Sequence, residues 1–108
     1  MVYSFEEIRS IVTPIAQKYG IPAVFLFGSY TRGTATEDSD VDLLIDTAGS
    51  AIKTLLHLGA LYCELEDALQ KPVDLITVRS LNQSTDRAHD LRFRETVQKE
   101  RMPLYVVA

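Results

Sequence analysis

The stretch that decides the fold runs from residue 25 to residue 46 and reads FLFGSYTRGTATEDSDVDLLID. Apolar runs at its two ends predict two buried strands, Ala23 to Phe27 and Val41 to Ile45. Gly28 and Ser29 end the first strand in a turn of small residues. Such a turn lets the backbone approach a ligand closely, and the backbone N–H groups of a helix that starts there favour an anion. The turn is therefore a candidate phosphate site.

Two acidic residues stand at the start of the second predicted strand. Because side chains alternate along a strand, Asp40 and Asp42 are expected to point to the same side. Two ionised carboxylates so close together repel, and a divalent cation such as Mg²⁺ would neutralise them. Asp74 opens a third predicted strand, Val73 to Val78, and would complete a three-carboxylate cluster if that strand lies beside the second. Two metal ions could then stabilise both oxygens of an in-line displacement.

An isolated Asp-x-Asp pair is more often a strand cap or part of a turn than a metal site. Here a Gly-Ser turn precedes the pair and a third acid follows on an apolar strand, so the metal site is favoured. Asp38 and Asp46 are predicted to be loop and strand-end acids.

The residues after the turn leave one question open. Ser29 is predicted to cap a short helix that ends near Gly33. Arg32 is the nearest cation, and it could bind a phosphate or brace the loop by pairing with Asp38 or Asp40. The sequence favours neither alternative.

Periodicity and capping signals predict the remaining elements. The first is a helix from Phe5 to Tyr19, with a capping box at Ser4 and Glu7 and a bend at Pro14. A long helix follows an N-cap at Ser50 and stops before Pro72. A last helix runs from Ser84 or Asp86 to about Glu100, and an edge strand follows from Leu104 to Val107. The apolar face predicted for the long helix comprises Ile52, Leu55, Leu56, Gly59, Tyr62, Leu65 and Leu69. Alternating helices and strands indicate one α/β (α+β) domain over residues 1–108.

Composition narrows the classes of function. The chain has 108 residues, of which 46% are hydrophobic, so it can build a core. Its formal net charge of −4 argues against strong nonspecific binding of nucleic acid, although the C-terminal segment is locally basic. Cys63 is the only cysteine, which excludes an internal disulfide and favours the cytoplasm. No apolar run approaches the ~20 residues that a membrane span needs, and no signal peptide is expected.

The run from Gly28 to Ala35, followed by Ser39 to Leu43 and by Asp74, resembles the minimal nucleotidyltransferase (MNT) branch of the DNA polymerase beta superfamily. The resemblance covers almost the whole chain. It implies a palm-like fold in which a small mixed β-sheet packs against helices. Met102 and Pro103 stand where the branch more often has a glycine, which bears on the last strand and not on the active site.

The resemblance also implies the chemistry and the roles of the site residues. It implies ATP as substrate, two Mg²⁺ ions, and transfer of AMP to a hydroxyl with release of pyrophosphate. In the family pattern Asp40 and Asp42 bind both metals, while Asp74 binds the catalytic metal and helps to deprotonate the acceptor. Gly28 and Ser29 hold the triphosphate.

Members of this branch are commonly paired with a HEPN-family toxin in toxin–antitoxin modules, and some transfer AMP to a tyrosine of that toxin. The resemblance therefore implies an antitoxin that forms a hetero-oligomer with a HEPN protein. The short chain has no room for an acceptor-binding extension beyond its core, which independently favours a separate partner. Two alternatives stay open: a non-catalytic module that masks its partner, and a nucleotidyltransferase that acts on a small-molecule hydroxyl.

Overall fold

A computed structural model of the chain describes residues 2–82 and 88–107. The helices are α1 (Phe5–Lys18), α2 (Ser29–Arg32), α3 (Leu55–Leu69), α4 (Val78–Leu81) and α5 (Ala88–Glu100). The strands are β1 (Ala23–Phe27), β2 (Val41–Asp46), β3 (Val73–Thr77) and β4 (Met102–Val106). The predicted starts of the last helix, Ser84 and Asp86, lie outside the described residues. No helix in the described part of the chain is both long enough and apolar enough to cross a bilayer.

The strands form one mixed sheet in the order β3-β2-β1-β4. β2 and β3 are parallel, while β1 is antiparallel to both β2 and β4. The sequence-based expectation of a small mixed sheet packed against helices is confirmed. The third strand lies beside the second, which places Asp74 opposite Asp42.

Helices cover both faces of the sheet, and the alternation of β2 shows this directly. Val41, Leu43 and Ile45 belong to the larger core, which α1 and α3 complete. Leu44 points the other way, into a smaller core with Val97 of α5. The apolar character of β2 was expected for a strand buried on both faces, and this expectation is confirmed.

The first helix begins as the sequence predicts. The backbone N–H of Glu7 donates to Ser4 Oγ at 3.2 Å, and that of Ser4 donates to Glu7 Oε1 at 2.8 Å. This capping box satisfies two N–H groups that the helix cannot bond itself. Pro14 lies inside α1, which continues to Lys18.

The start of the long helix was predicted wrongly, and its apolar face was predicted correctly only towards its C-terminal end. Ser50 does not cap α3: its hydroxyl donates to the carbonyl of Thr47 and accepts the N–H of Ile52, which builds a turn ahead of the helix. Thr54 is the N-cap and accepts the N–H of His57 at 3.2 Å. Its buried side chains are Leu61, Leu65 and Leu69, of which Leu65 and Leu69 were predicted. Leu55 and Leu56 are instead 86% and 82% exposed.

The ends of the last two strands also differ from the prediction. β3 stops at Thr77, whose hydroxyl accepts the N–H of Ser80 and starts α4, a helix that the sequence analysis missed. β4 begins at Met102 and includes Pro103, with a register shift opposite Val24 and Phe25 of β1. Proline lacks a backbone donor, and an edge strand tolerates that loss.

Candidate active site

The sheet register places two predicted site residues and one neighbour of the Gly28 turn in one row across three strands. Phe27 of β1 lies opposite Asp42 of β2, and Asp42 lies opposite Asp74 of β3. Asp42 is two residues before Leu44, which packs towards α5, so strand alternation directs Asp42 to the same face. Asp74 has the same relation to Ile76, which also packs in the smaller core. The two carboxylates therefore share the face of the sheet that α5 covers.

An open cleft of about 280 Å³ lies above this row. Strand ends and the turn after β1 form one wall, and the face of α5 forms the other. The lining residues are Phe27, Gly28, Arg32, Asp42, Asp74, Phe93, Thr96, Val97 and Glu100. Four residues that the sequence analysis singled out, Gly28, Arg32, Asp42 and Asp74, thus meet in one cleft.

Gly28 is required because the carboxylate of Asp42 packs directly against it. Its φ of +78° lies in a region that side-chain-bearing residues avoid. A Cβ at this position would overlap Asp42 Oδ2 and would lie 2.9 Å from Asp42 Cγ. The sequence predicts that a ligand approaches this glycine closely, and in the folded chain the group that approaches it is the carboxylate of Asp42.

The turn also caps the short helix in a way the sequence did not predict. Gly28, not Ser29, is the N-cap of α2, and no side chain caps the helix. The carbonyl of Gly28 accepts the N–H groups of Thr31 and Arg32 and the hydroxyl of Thr31, at 3.0, 3.2 and 2.7 Å. Ser29 is the first residue of the helix and is partly buried beside the cleft.

Asp42 is held in surroundings that oppose its charge. Burial, followed by the charges of Asp74 and Asp40, raises the pKa of the Asp42 carboxyl to about 6. The Arg32 guanidinium acts in the opposite direction, with a smaller effect. A bound cation would reverse this balance, because it stabilises the ionised carboxylate.

Arg32 makes an ion pair that neither alternative from the sequence foresaw. Its Nη1 donates to both carboxylate oxygens of Glu100, at 2.9 and 3.0 Å. The side chain of Glu100 is 20% exposed, while that of Arg32 is 50% exposed. This ion pair joins α2 to the end of α5. The acid that pairs with Arg32 is thus Glu100 and not Asp38 or Asp40.

The loop before β2 has its own hydrogen bonds, and it positions Asp40. Ser39 Oγ accepts the N–H of Thr36 at 2.8 Å, which fixes the loop locally. Asp40 follows as an exposed residue just ahead of β2. It contributes charge to the site, as the raised pKa of Asp42 shows, but it does not line the cleft. Asp46 accepts the N–H of Ala48 at the far end of β2, as a strand-end acid would.

The carboxylate oxygens of Asp42 and Asp74 are donors of the kind that Mg²⁺ prefers. The three-carboxylate cluster predicted from the sequence is not formed: across residues 2–82 and 88–107, no group of three or more His, Cys, Asp or Glu side chains is arranged to hold a metal ion. Asp42 and Asp74, as register partners in one cleft, offer two carboxylates. Mg²⁺ typically takes one or two carboxylates and completes its shell with water and substrate phosphates, so this donor set suits a metal that arrives with a nucleotide.

The contribution of α5 to the cleft was missed by the sequence analysis. Phe93, Thr96, Val97 and Glu100 follow the spacing i, i+3, i+4 and i+7, which places them on one helical face. That spacing is visible in the sequence, but two of the four residues are polar, and the sequence analysis noted only that the C-terminal segment is locally basic.

The chain matches the sequence family described as "Nucleotidyltransferase domain" over residues 8–103. It is 42% identical over 82 residues to the protein adenylyltransferase MntA of Thermococcus cleftensis, a match that covers 72% of this chain and 81% of the relative.

Solved structures show the same fold. One assigned as a minimal nucleotidyltransferase is 33% identical, with a TM-score of 0.69, and the match covers 94% of this chain and 96% of the other. A chain in the complex of a tri-AMPylated Shewanella oneidensis HEPN toxin with its MNT antitoxin is 19% identical, with a TM-score of 0.63. That match covers 93% of this chain and 71% of the other, and at this identity it is a likeness of fold.

Proposed function

This chain belongs to the nucleotidyltransferase domain family, and we propose that it transfers AMP from ATP, with Mg²⁺, to a tyrosine hydroxyl of a HEPN-family toxin. One observation carries the proposal: Asp42 and Asp74 are register partners in a cleft that also contains the Gly28 turn. An adenylyltransferase relative at 42% identity supports AMP as the transferred group. The fold shared with an MNT antitoxin bound to an AMPylated HEPN toxin supports the partner.

The proposed roles follow from where the residues lie. Asp42 and Asp74 would hold Mg²⁺ in the cleft, and the family pattern adds Asp40, which lies just ahead of β2 and outside the cleft lining. When bound, the metal would neutralise charge on the phosphates and charge that develops on the attacking and leaving oxygens. Gly28 and Ser29 would hold the triphosphate against the start of α2. Arg32 lies within the cleft and would contact phosphate once it leaves Glu100.

The proposed reaction is a single in-line displacement. The tyrosine oxygen forms a bond to the α-phosphorus, and the bond from that phosphorus to the α,β-bridging oxygen breaks. Pyrophosphate leaves with the electron pair. The hydroxyl proton passes to the carboxylate of Asp74, which is exposed at the mouth of the cleft and can meet an acceptor from another protein.

The acceptor and the cell compartment belong to the same proposal. The HEPN toxin would supply the tyrosine, and the two proteins would form a hetero-oligomer in which this chain is the antitoxin. We place the pair in the cytoplasm, where ATP is abundant and where an exposed free thiol such as Cys63 stays reduced.

The test is label transfer from α-labelled ATP to the cognate HEPN protein in the presence of Mg²⁺. We expect label on the toxin with the wild type and none with Asp42→Asn. Asp46→Asn is the matched control, because this acid lies at the other end of β2 and caps a turn. It should transfer label as the wild type does.

Two results would overturn the proposal. The first is an absence of label on the toxin with every variant. The second is full protection of cells from the toxin by Asp42→Asn while the complex still forms, since masking alone would then explain the antitoxin effect. Label that reaches only a small-molecule hydroxyl would contradict the choice of acceptor.

A further inference from the structure

One aromatic side chain of the cleft has no role in the chemistry described so far. Phe93 lies on α5 and is 43% exposed, although it lines the same cleft as Asp42 and Asp74. Single exposed apolar side chains are common on protein surfaces, so the location of this ring, in the cleft that holds the two carboxylates, is the informative feature.

The orientation of this ring is set by a buried neighbour. Phe93 meets Phe27 edge to face, with ring centroids 6.4 Å apart and planes at 79°. Phe27 is only 4% exposed and ends β1, directly before Gly28. Because Phe27 is also the register partner of Asp42, the Phe93 ring is tied to the row that carries the carboxylates.

The two walls of the cleft therefore differ in chemistry. The sheet wall carries the carboxylates of Asp42 and Asp74, which suit phosphates that arrive with a cation. The α5 wall carries the apolar side chains of Phe93 and Val97. The volume of about 280 Å³ is near the lower end for small-ligand sites, about 300 Å³. A nucleotide has the same division, since an anionic phosphate chain is joined to a flat aromatic base.

We propose that Phe93 is the stacking platform for the nucleobase, so that the face of α5 binds the base while the turn and the acids bind the phosphates. The inference rests on the proposed function, because it assigns a residue to the nucleoside triphosphate of that reaction. Stacking on a phenyl ring tolerates any base, so Phe93 supplies affinity without selecting the base.

The test compares two probes by calorimetric titration in Mg²⁺. The first probe is an ATP analogue with a methylene group in place of the α,β-bridging oxygen, and the second is inorganic tripolyphosphate, which has no base. Phe93→Leu should weaken binding of the ATP analogue about tenfold, as expected for loss of one stacked base. Tripolyphosphate binding should not change. Phe93→Tyr should bind both probes as the wild type does.

Leu91→Ala is the matched control, since Leu91 is exposed to a similar degree (39%) on the same helix and does not line the cleft. Unchanged binding of the ATP analogue by Phe93→Leu would overturn the inference. An equal loss for both probes would also overturn it, because that loss would report displacement of α5. Normal binding with impaired label transfer to the toxin would assign Phe93 to the acceptor instead.

The two proposals fail in different ways. If the wild type binds the ATP analogue and transfers label, but Phe93→Leu binds the analogue equally well, only the stacking inference is wrong. If the wild type binds neither the ATP analogue nor tripolyphosphate, the proposed function fails together with the inference.

Discussion

Glu64 and Asp42 are both partly buried acids, but the surroundings of the two residues are opposite. Glu64 of α3 accepts a hydrogen bond from Lys18 Nζ at 2.8 Å and another from the Tyr19 hydroxyl at 3.1 Å. The hydrogen bond from Lys18 is the main cause that lowers the pKa of the Glu64 carboxyl. Asp42 lies among other carboxylates, and burial and those charges raise its pKa to about 6.

The difference is between an acid whose ionised form stabilises the folded state and an acid whose ionised form destabilises it. Ionised Glu64 has its partners within the chain, so its charge stabilises the packing of α1 on α3. Ionised Asp42 has less compensation within the chain, because burial and its acidic neighbours raise its pKa, and a bound cation would supply the rest. Such uncompensated, perturbed acids in a cleft are typical of functional sites.

The largest expected contrast between the two acids is in activity. Asp42→Asn should lower label transfer by on the order of 10³-fold or more, because several kcal/mol of charge stabilisation depends on the bound metal. Glu64→Gln should leave the rate within about threefold of the wild type, since its carboxylate touches no reacting group. Initial rates with saturating toxin would measure both. Similar losses in the two variants would remove the distinction.

The next largest effect is on the free energy of unfolding when Gly28, against which Asp42 packs, is replaced. Gly28→Ala should destabilise the protein by about 1–3 kcal/mol, because alanine is strained at this φ and its methyl group overlaps the carboxylate. Gly59→Ala is the control on the helix of Glu64. It is helical, nothing lies within 4 Å of its added Cβ, and the change should stabilise by about 0.5–1 kcal/mol. Denaturant unfolding of both variants would show opposite signs, and equal signs would contradict this explanation.

A smaller effect should appear in the stability of the metal-free protein. The folded pKa of Asp42 lies above its ordinary value, so the wild type loses stability as the pH rises from about 4 through about 6. Asp42→Asn removes this loss and should be more stable at pH 8 by about 1 kcal/mol, allowing for solvent screening of a partly exposed group. The difference should fade as the pH falls towards 4. Thermal unfolding in a chelator at several pH values would test it, and an advantage that grows at low pH would contradict it.

The smallest effect is the stability change caused by Glu64→Gln, which should be opposite in sign to that caused by Asp42→Asn. The pKa of Glu64 is lowered on folding, so its contribution is present above its ordinary pKa and is lost as the pH falls through the folded value. Glu64→Gln should therefore reduce the melting temperature slightly at neutral pH, and the reduction should vanish in acid. A pH-independent loss would mean that Glu64 acts through packing alone.

The pairing of Asp42 with Asp74 was largely predictable from the sequence, because it depends on local rules of strand structure. Strand alternation and the position of Asp74 at the start of its strand were sufficient once β3 was taken to lie beside β2. The Gly28 turn was also readable as a point of close approach, although its packing against Asp42 required the three-dimensional structure.

The α5 side of the cleft was not predictable in the same way. Arg32 and Glu100 are 68 positions apart, and only the packing of α5 across the sheet brings them together. The start of α3 was misjudged for a different reason. Ser50 and Thr54 are both good caps, and the choice depended on a turn in which Ser50 uses its hydroxyl.

The most direct test of the account is the thermal response to Mg²⁺ with the ATP analogue at pH 8, for the wild type, Asp42→Asn and Glu64→Gln. A ligand that binds the folded state raises the melting temperature. The account predicts that the wild type and Glu64→Gln rise together, while Asp42→Asn does not respond. An equal rise in Asp42→Asn would contradict the claim that a cation and nucleotide bind at the Asp42–Asp74 pair.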